Sequence, residues 1–334
     1  MSAAAGYPVR SPRWILNYAG RDITADISRM VISIAYHDYL ASRAGEIEVE
    51  LEDRDRLWQG PWYPALGDKL NLLIGYGGEP LLPCGDFEID QLELEGPPDV
   101  FRLRCLAAYI TPAMRTPNSA AYENQSLLQI VSTVAGKYRL SVVGVTDPLN
   151  PIFARVTQKQ ESDLAFLTRL ATSNGYDFTV RGAELVFYSR SALEAQPPIA
   201  TVTRGTVERF AFENRTRRIY KAAQVAYQDP ATRSLIAASV AATGIPTGDT
   251  CKLTARCENG QQATLKAQAA LHNGNAWFTN ARLALPGTTA LSAGNTVALS
   301  GWGSFNDVYL IETARHSLSR RTGYSTEVEI RRVG

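Results

Sequence analysis

The sequence carries the same alternating pattern of apolar and polar residues at two places far apart in the chain. The first copy covers Lys69–Ala107 and the second covers Thr296–Arg332. Each copy has an alternating strand, a glycine turn, a second strand, a polar reversal and a last strand, and the second strands are Asp86–Leu92 and Asp307–Thr313. A period of two is typical of strands with one buried face. The recurrence predicts one β-domain that is used twice in one chain.

The first 110 residues or so predict an antiparallel β-barrel or sandwich. The clearest strand is Glu46–Glu52, in which Ile47, Val49 and Leu51 alternate with acidic residues. This alternation indicates a strand with one face in a core and the other in solvent. A turn-rich loop with two tryptophans, Asp53–Pro64, follows it.

The middle of the chain changes to helical spacing and predicts a small α+β domain. Ser126 is a candidate cap for a helix over Leu127–Gly136, and Ser162 or Asp163 is a candidate start for a second helix that ends at Gly175. Both helices have an apolar stripe. A hairpin follows, with predicted strands at Tyr176–Val180 and Glu184–Ser189.

After a linker at Ala195–Pro198 the β pattern resumes, with a strand predicted at Tyr220–Tyr227. An insertion at about 243–287 then interrupts it, and this insertion includes an alanine-rich helix at Gln261–Leu271. The predicted domains are therefore a first β-barrel at 1–112, an α+β domain at 113–197 and a second β-barrel at 198–334 with a helical insertion.

Composition argues against several classes of protein. The 34 basic and 33 acidic residues give a net charge of +1, which is not the basic excess of a dedicated nucleic-acid binder. No apolar run approaches the roughly 18 residues of a membrane span. The N-terminal residues lack the apolar segment of a secretory signal, so we expect synthesis in the cytoplasm.

The sequence offers no recognisable metal or cofactor motif. The five residues between Cys251 and Cys257 do not match the usual zinc spacing, and we expect the four cysteines to be free thiols on strands. The glycine-rich run Gly75–Gly78 is not followed by the helix and lysine of a phosphate-binding loop, which favours a hairpin turn.

Candidate catalytic residues are few. A carboxylate pair for glycoside cleavage could come from the acids Asp86, Glu88, Asp90, Glu93 and Glu95. Strand alternation instead places Asp86, Glu88 and Asp90 together on a solvated or interface-lining face. No nucleophile turn accompanies His316, so we interpret it as structural, and we predict no catalytic site.

Four tryptophans lie in turn-rich regions and could anchor either a core or a partner. Exposed aromatic residues in a chain without a visible active site favour interfaces. These residues are Trp58, Trp62, Trp277 and Trp302.

Two blocks of motifs resemble the phage late control gene D family, the baseplate hub proteins of contractile phage tails and R-type bacteriocins. The first block lies in Gln158–Tyr188, and the second lies in the C-terminal forty residues. The matching segments are Glu161-Ser162-Asp163, Leu164–Ala171, Gly175-Tyr176-Asp177-Phe178, Leu185-Val186-Phe187, Leu299-Ser300-Gly301, Tyr309-Leu310-Ile311, Ala314-Arg315-His316 and Gly323-Tyr324-Ser325-Thr326.

The resemblance implies a structural hub with two tail-tube-like β-barrels in each chain. Three chains would then form a homotrimer with a pseudo-sixfold ring that adapts the hexameric tail tube to a trimeric spike. The implied partners are the tail tube or a tube-initiator protein, the spike protein, baseplate wedge proteins and, as a further candidate, the tape measure protein. No cofactor and no specific nucleic acid is implied, and the expected location is the tail baseplate of a virion or tail-like particle.

Two alternatives belong to other functional classes. A tail-associated cell-wall hydrolase would use acids such as Asp86 or Glu88. A carbohydrate-binding module would have an open groove lined by Trp58 and Trp62.

Overall fold

The computed structural model describes residues 10–41, 43–109, 112–144, 150–215, 219–229, 233–243 and 248–333. The start of the chain and residues 244–247, at the predicted beginning of the insertion, lie outside these ranges. The predicted mainly β class is confirmed. No helix of the described residues is long and apolar enough to cross a membrane.

Strands from the N-terminal third form what we call the first unit. Its sheet is antiparallel throughout, and β4 has the predicted alternation, with its apolar residues buried and its acids half-buried. A one-turn helix, α1 (Thr24–Ile27), precedes β3. The strands are β1 (Pro12–Tyr18), β2 (Arg21–Asp22), β3 (Val31–Tyr39), β4 (Glu46–Glu52), β5 (Lys69–Tyr76), β6 (Leu82–Glu95) and β7 (Val100–Ala107).

The middle elements surround a core of their own. Ser126 and Gln129 form a reciprocal capping box at the start of α3, and Ser162, rather than Asp163, caps α4. The elements are α2 (Pro112–Arg115), β8 (Pro117–Ser126), α3 (Leu127–Lys137), β9 (Ser141–Val143), β10 (Ile152–Ser162), α4 (Asp163–Ser173), β11 (Tyr176–Arg181), β12 (Glu184–Ser189) and α5 (Arg190–Glu194).

The remaining elements form a second unit and the insertion that interrupts it. In chain order they are β13 (Ala200–Thr203), β14 (Arg209–Asn214), β15 (Tyr220–Gln228), β16 (Leu235–Ala241), β17 (Asp249–Thr254), α6 (Gly260–Asn275), β18 (Thr279–Pro286), β19 (Thr296–Ser300), β20 (Val308–Ser319) and β21 (Gly323–Arg332).

The insertion differs from the one that the sequence predicts at about 243–287. The predicted helix is present as α6, but it packs on a separate sheet of order β16-β15-β17 that begins at Tyr220. Ala223 and Val225 of β15 are buried with Ala263 and Ala267 of α6, which gives this sheet its own core. Alternation reveals β15 as a strand but not the sheet to which it belongs. The insertion also ends earlier, because β18 pairs within the second unit.

The two terminal units have the same strand order. The first unit pairs as β1-β5-β6-β7-β4-β3, and the second pairs as β13-β19-β20-β21-β18-β14. If the two-residue β2, which pairs only with β1, is left out and the remaining strands are numbered along the chain within each unit, both orders are 1-4-5-6-3-2. The units differ in their first strands, because β1 is antiparallel to β5 whereas β13 is parallel to β19.

The correspondence extends to single positions. A β-bulge occurs at the same step of the two β-meanders. It leaves Asp90 of β6 without an opposite residue on β7, and Glu312 of β20 without an opposite residue on β21. Gly67 and Gly294 occupy equivalent sites at φ +87° and +93°, a left-handed conformation that favours glycine. Their N–H groups donate to the carbonyls of Ile89 at 2.8 Å and Ile311 at 2.9 Å. The repeat is therefore one of backbone geometry as well as of residue pattern.

Strand pairing joins the two units into one sheet. The second half of β20, Thr313–Ser319, pairs antiparallel with Ser33–Tyr39 of β3. Each unit is curled around one core to which six of its strands contribute, and the two-residue β2 of the first unit does not. Among the described residues no strand pair closes either unit into a hydrogen-bonded ring. The main path of pairings runs from β14 to β1 and β2, and β19 and β13 branch from it at β20.

Candidate assembly interface

Among the described residues, the outer edge of β14 is an unpaired edge of the joined sheet that exposes an apolar residue. Phe210 on this strand is 45% exposed, although its ring contacts Trp302 and lies 4.9 Å from the Arg204 guanidinium. Within the part of the chain that the structure describes, β14 pairs only with β18. An unpaired strand edge with an exposed aromatic residue is a template for another strand.

The second half of β6 is a further unpaired edge of the same sheet. Its first half pairs with β5, but Gln91–Glu95 pairs only with β7 among the described strands. Leu94 in this segment is 48% exposed. It points to the same side of the sheet as Phe101, its buried partner on β7. This edge therefore also exposes an apolar residue beside free backbone groups.

The loop between β4 and β5 exposes further apolar residues. Trp62 is 39% exposed, Tyr63 61% and Leu66 65%. The loop is held by the buried Asp53 carboxylate, which accepts the Trp58 backbone N–H at 3.0 Å. Its outer part is thus presented from a fixed base.

A groove of about 480 Å³ in this loop includes both tryptophans that the carbohydrate-binding alternative requires. Trp58 is only 6% exposed, however, and its ring stacks on Phe101 with centroids 5.9 Å apart. The aromatic faces left for a partner are those of Trp62 and Tyr63. Of the other two tryptophans, Trp302 is buried and Trp277 is 36% exposed.

The acidic residues of β6 lie on a sheet face crossed by arginine–glutamate pairs. Arg102 lies 2.8 Å from Glu50 and 2.7 Å from Glu95, and 3.8 Å from Glu93. Asp86 accepts a hydrogen bond from Asn71 at 2.8 Å. Asp90 is exposed as well, and it lies at the β-bulge, where it has no partner on β7. The acids therefore belong to a network of surface charges rather than to an isolated pair.

One cluster on this face was not foreseen from the sequence because its members lie on two strands. The side chains of His37, Glu46 and Glu48 bring their ligand atoms within 4.8 Å of one another. Arg104 already lies 3.0 Å from Glu46 and 3.9 Å from Glu48. A guanidinium in this place supplies the positive charge that a bound cation would otherwise contribute.

His316 lies in the seam between the two units and is fully buried. Its ring stacks on Tyr36 of β3, and its Nδ1 lies 2.9 Å from the Tyr324 hydroxyl. Burial lowers the pKa of His316 to about 4, against the opposing effect of the Leu291 backbone. The side chain is therefore neutral near pH 7 and packs as part of the core.

The four cysteines are free, and three of them are buried. Burial raises the pKa of the Cys105 thiol to about 12. Cys257 lies in the loop before α6 and not on a strand, which corrects the prediction for that residue.

Buried charged groups hold the middle domain and the insertion against the second unit. Arg331 of β21 pairs with Glu194 of α5 and with Glu312 at the β20 bulge, and His272 of α6 lies 3.0 Å from Glu194. At a second junction, Asp38 of β3 accepts from Arg181 at 2.9 Å and from the Ala293 N–H at 2.9 Å.

Comparison with known proteins agrees with the motifs. The family model of the phage tail baseplate hub (GPD) matches residues 103–322. A probable baseplate hub protein of Escherichia phage 186 is 32% identical over 215 residues, which cover 63% of this chain and 54% of that protein. The chain thus aligns with about half the length of this curated relative.

Solved structures share the fold. A tail protein from Neisseria meningitidis MC58 superposes with a TM-score of 0.74 at 13% identity, covering 96% of both chains. The E. coli c3393 protein, a type VI secretion component described as similar to the T4 tail proteins gp27 and gp5, gives a TM-score of 0.55 at 15% identity, covering 90% of this chain and 73% of that one. With the family model matched over most of its length, the chain belongs to the phage tail baseplate hub (GPD) family.

Proposed function

We propose that this protein is the central hub of the baseplate in a contractile phage tail or tail-like particle. Three copies form a ring of six similar β units, two from each chain. The observation that carries the proposal is the equivalence of the two units, which share strand order, a β-bulge and the loop glycine. A polypeptide with two such units gives threefold symmetry at the level of chains and near-sixfold symmetry at the level of units.

This arrangement fits partners of different symmetry. One side of the ring meets the sixfold tail tube or a tube-initiator protein, and the other meets a trimeric spike. The proposed domains are 1–112 and 198–334 for the two tube-like units, and 113–197 for the α+β domain. This domain and the insertion lie outside the shared sheet, and we propose that they contact the spike, the wedge proteins or the tape measure protein.

The first prediction concerns assembly. We expect the full-length protein, alone or with the spike protein of its particle, to be a homotrimer, because β14 and the second half of β6 present edges, unpaired among the described residues, that another copy can cover. Multi-angle light scattering would give the mass, and electron-microscopy class averages would give the symmetry. A monodisperse monomer at high concentration in the presence of the spike would contradict the hub proposal.

The second prediction concerns catalysis. We propose that the protein has no catalytic, metal or cofactor site, since Asp86, Glu88 and His316 are explained by the sheet face and the seam. Purified protein is therefore expected to release no soluble fragments from peptidoglycan. Asp86→Asn, Glu88→Gln and His316→Asn variants should give the same baseline. Hydrolysis that disappears in one of these variants would instead support the cell-wall hydrolase.

A further inference from the structure

We propose that neighbouring copies join by strand pairing between Gln91–Glu95 of β6 in one copy and the outer edge of β14 in the next. This interface would repeat, between chains, the β20–β3 contact that already joins the two units inside each chain. The inference rests on the proposed trimer and specifies which surfaces form it.

The internal contact supplies the template. There the fifth strand of the second unit, β20, pairs with the second strand of the first unit, β3. The equivalent fifth strand of the first unit is β6, and the equivalent second strand of the second unit is β14. Both equivalents have the required edge unpaired among the described residues. A ring of like units repeats its contacts, so the edge used once within the chain is expected to be used again between chains.

The shared registers define the expected pairs. Aligning the bulges at Asp90 and Glu312 makes Leu94 equivalent to His316. The β3–β4 and β14–β18 registers make Phe212 equivalent to Tyr36. Because His316 is paired with Tyr36 inside the chain, Leu94 is expected opposite Phe212 of the next copy.

Exposure differs between equivalent positions in the direction that a missing neighbour predicts. His316 is fully buried, whereas its equivalent Leu94 is 48% exposed. Ile34 is fully buried, whereas its equivalent Phe210 is 45% exposed. Apolar side chains at two unpaired edges would lose this exposure together on pairing, which favours association.

The loops that precede the fourth strands, β18–β19 in the second unit and β4–β5 in the first, are also equivalent. In the second unit this loop reaches the first unit, where the Ala293 N–H donates to Asp38. Its equivalent in the first unit is the β4–β5 loop with the exposed Trp62, Tyr63 and Leu66. We infer that the β4–β5 loop contacts the next copy, on the surface beside β14 of that copy.

The charges at the proposed contact are locally compensated. Glu93 would face Glu213, and like charges directly opposite each other disfavour pairing. Glu93 lies 3.8 Å from Arg102, and Glu213 lies 2.7 Å from Arg215, which would be opposite Gln91. Each carboxylate therefore brings its own arginine. The two edges are different surfaces, so every copy uses one of each and the contact continues around a ring.

Cysteine pairing tests the strand register. In a Cys251→Ser background, Glu93→Cys combined with Glu213→Cys places two exposed thiols on opposite residues of the proposed pair, within reach of a disulfide after small adjustment. Mild oxidation of the full-length protein should yield covalent dimers and trimers on non-reducing gels. Glu93→Cys with Arg209→Cys is the register control, since these positions would be about 13 Å apart along the strand, and it should link far less.

A substitution tests the contact energetically. Leu94→Arg would bring a charge against Phe212 and should raise the concentration at which the trimer half-dissociates at least about tenfold. Leu235→Arg, at a 65% exposed leucine of the insertion, is the matched control and should leave it unchanged.

The outcomes separate the two proposals. Linked trimers together with a weakened Leu94→Arg variant support the strand pairing. A trimer by light scattering that neither crosslinks at these positions nor responds to Leu94→Arg overturns the pairing while the hub function stands. A protein that remains monomeric overturns both.

Discussion

Replacing Arg331 with methionine is expected to lower the free energy of unfolding by about 3–5 kcal/mol. Arg331 is 3% exposed and pairs with Glu194 and Glu312. Burial alone would raise the pKa of Glu194, but the hydrogen bond with His272 and the Arg331 charge hold it below its usual range. Without the guanidinium, two carboxylates would remain in a poorly hydrated junction. A buried charge that has lost its partner destabilises the folded state strongly.

The effect should be measured by chemical denaturation followed through tryptophan fluorescence. Arg282→Met is the matched control, because Arg282 lies 3.2 Å from Glu329 on the same sheet but is 75% exposed in its side chain. An exposed pair of this kind contributes at most about 1 kcal/mol. If both variants lose stability equally, the buried network does not hold the insertion and α5 in place as described.

Local signals in the sequence were sufficient for much of the fold. Alternation predicts the two β-meanders, and a serine before an apolar stripe predicts α3 and α4. The repeat could have been extended from the sequence, since Gly67-Asp68 and Gly294-Asn295 precede the equivalent strands and occupy the same left-handed turn. Turn chemistry of this sort is read from neighbouring residues.

The pairing of β3 with β20 could not be predicted in this way. It joins strands from opposite ends of the chain, and alternation identifies a strand without naming its neighbour. The same limit applies to β15, which forms a sheet with the insertion, and to the bulge that leaves Asp90 without a partner on β7.

The candidate interface was missed for a related reason. Leu94 and Phe210 fit the alternating pattern of core residues, so nothing in the sequence indicates that they are exposed at unpaired edges. Trp58 was a candidate for a binding groove, but its ring is part of the core of the first unit. Interface residues on strands become visible only once the partner of each edge is known.

The neutral state of His316 predicts a dependence of stability on pH. The pKa of His316 is about 4 in the folded protein and near its ordinary value of 6.5 when unfolded. Between these values the unfolded chain binds the extra proton, so the free energy of unfolding rises with pH. The contribution of His316 is full above pH 6.5 and is lost as the pH falls towards 4, by on the order of 3 kcal/mol.

His316→Asn removes the titrating ring while an amide remains near Tyr324, so the difference between wild type and variant isolates this histidine from the carboxylates. Urea denaturation between pH 4 and 7 should show wild-type stability rising more steeply than that of His316→Asn. Tyr324→Phe is the control, because it removes the hydroxyl 2.9 Å from Nδ1 but keeps the buried ring, and it should retain the slope. Parallel profiles for wild type and His316→Asn would mean that water reaches the seam. The two units would then not be joined by the dry β3–β20 contact from which the interface between copies is inferred.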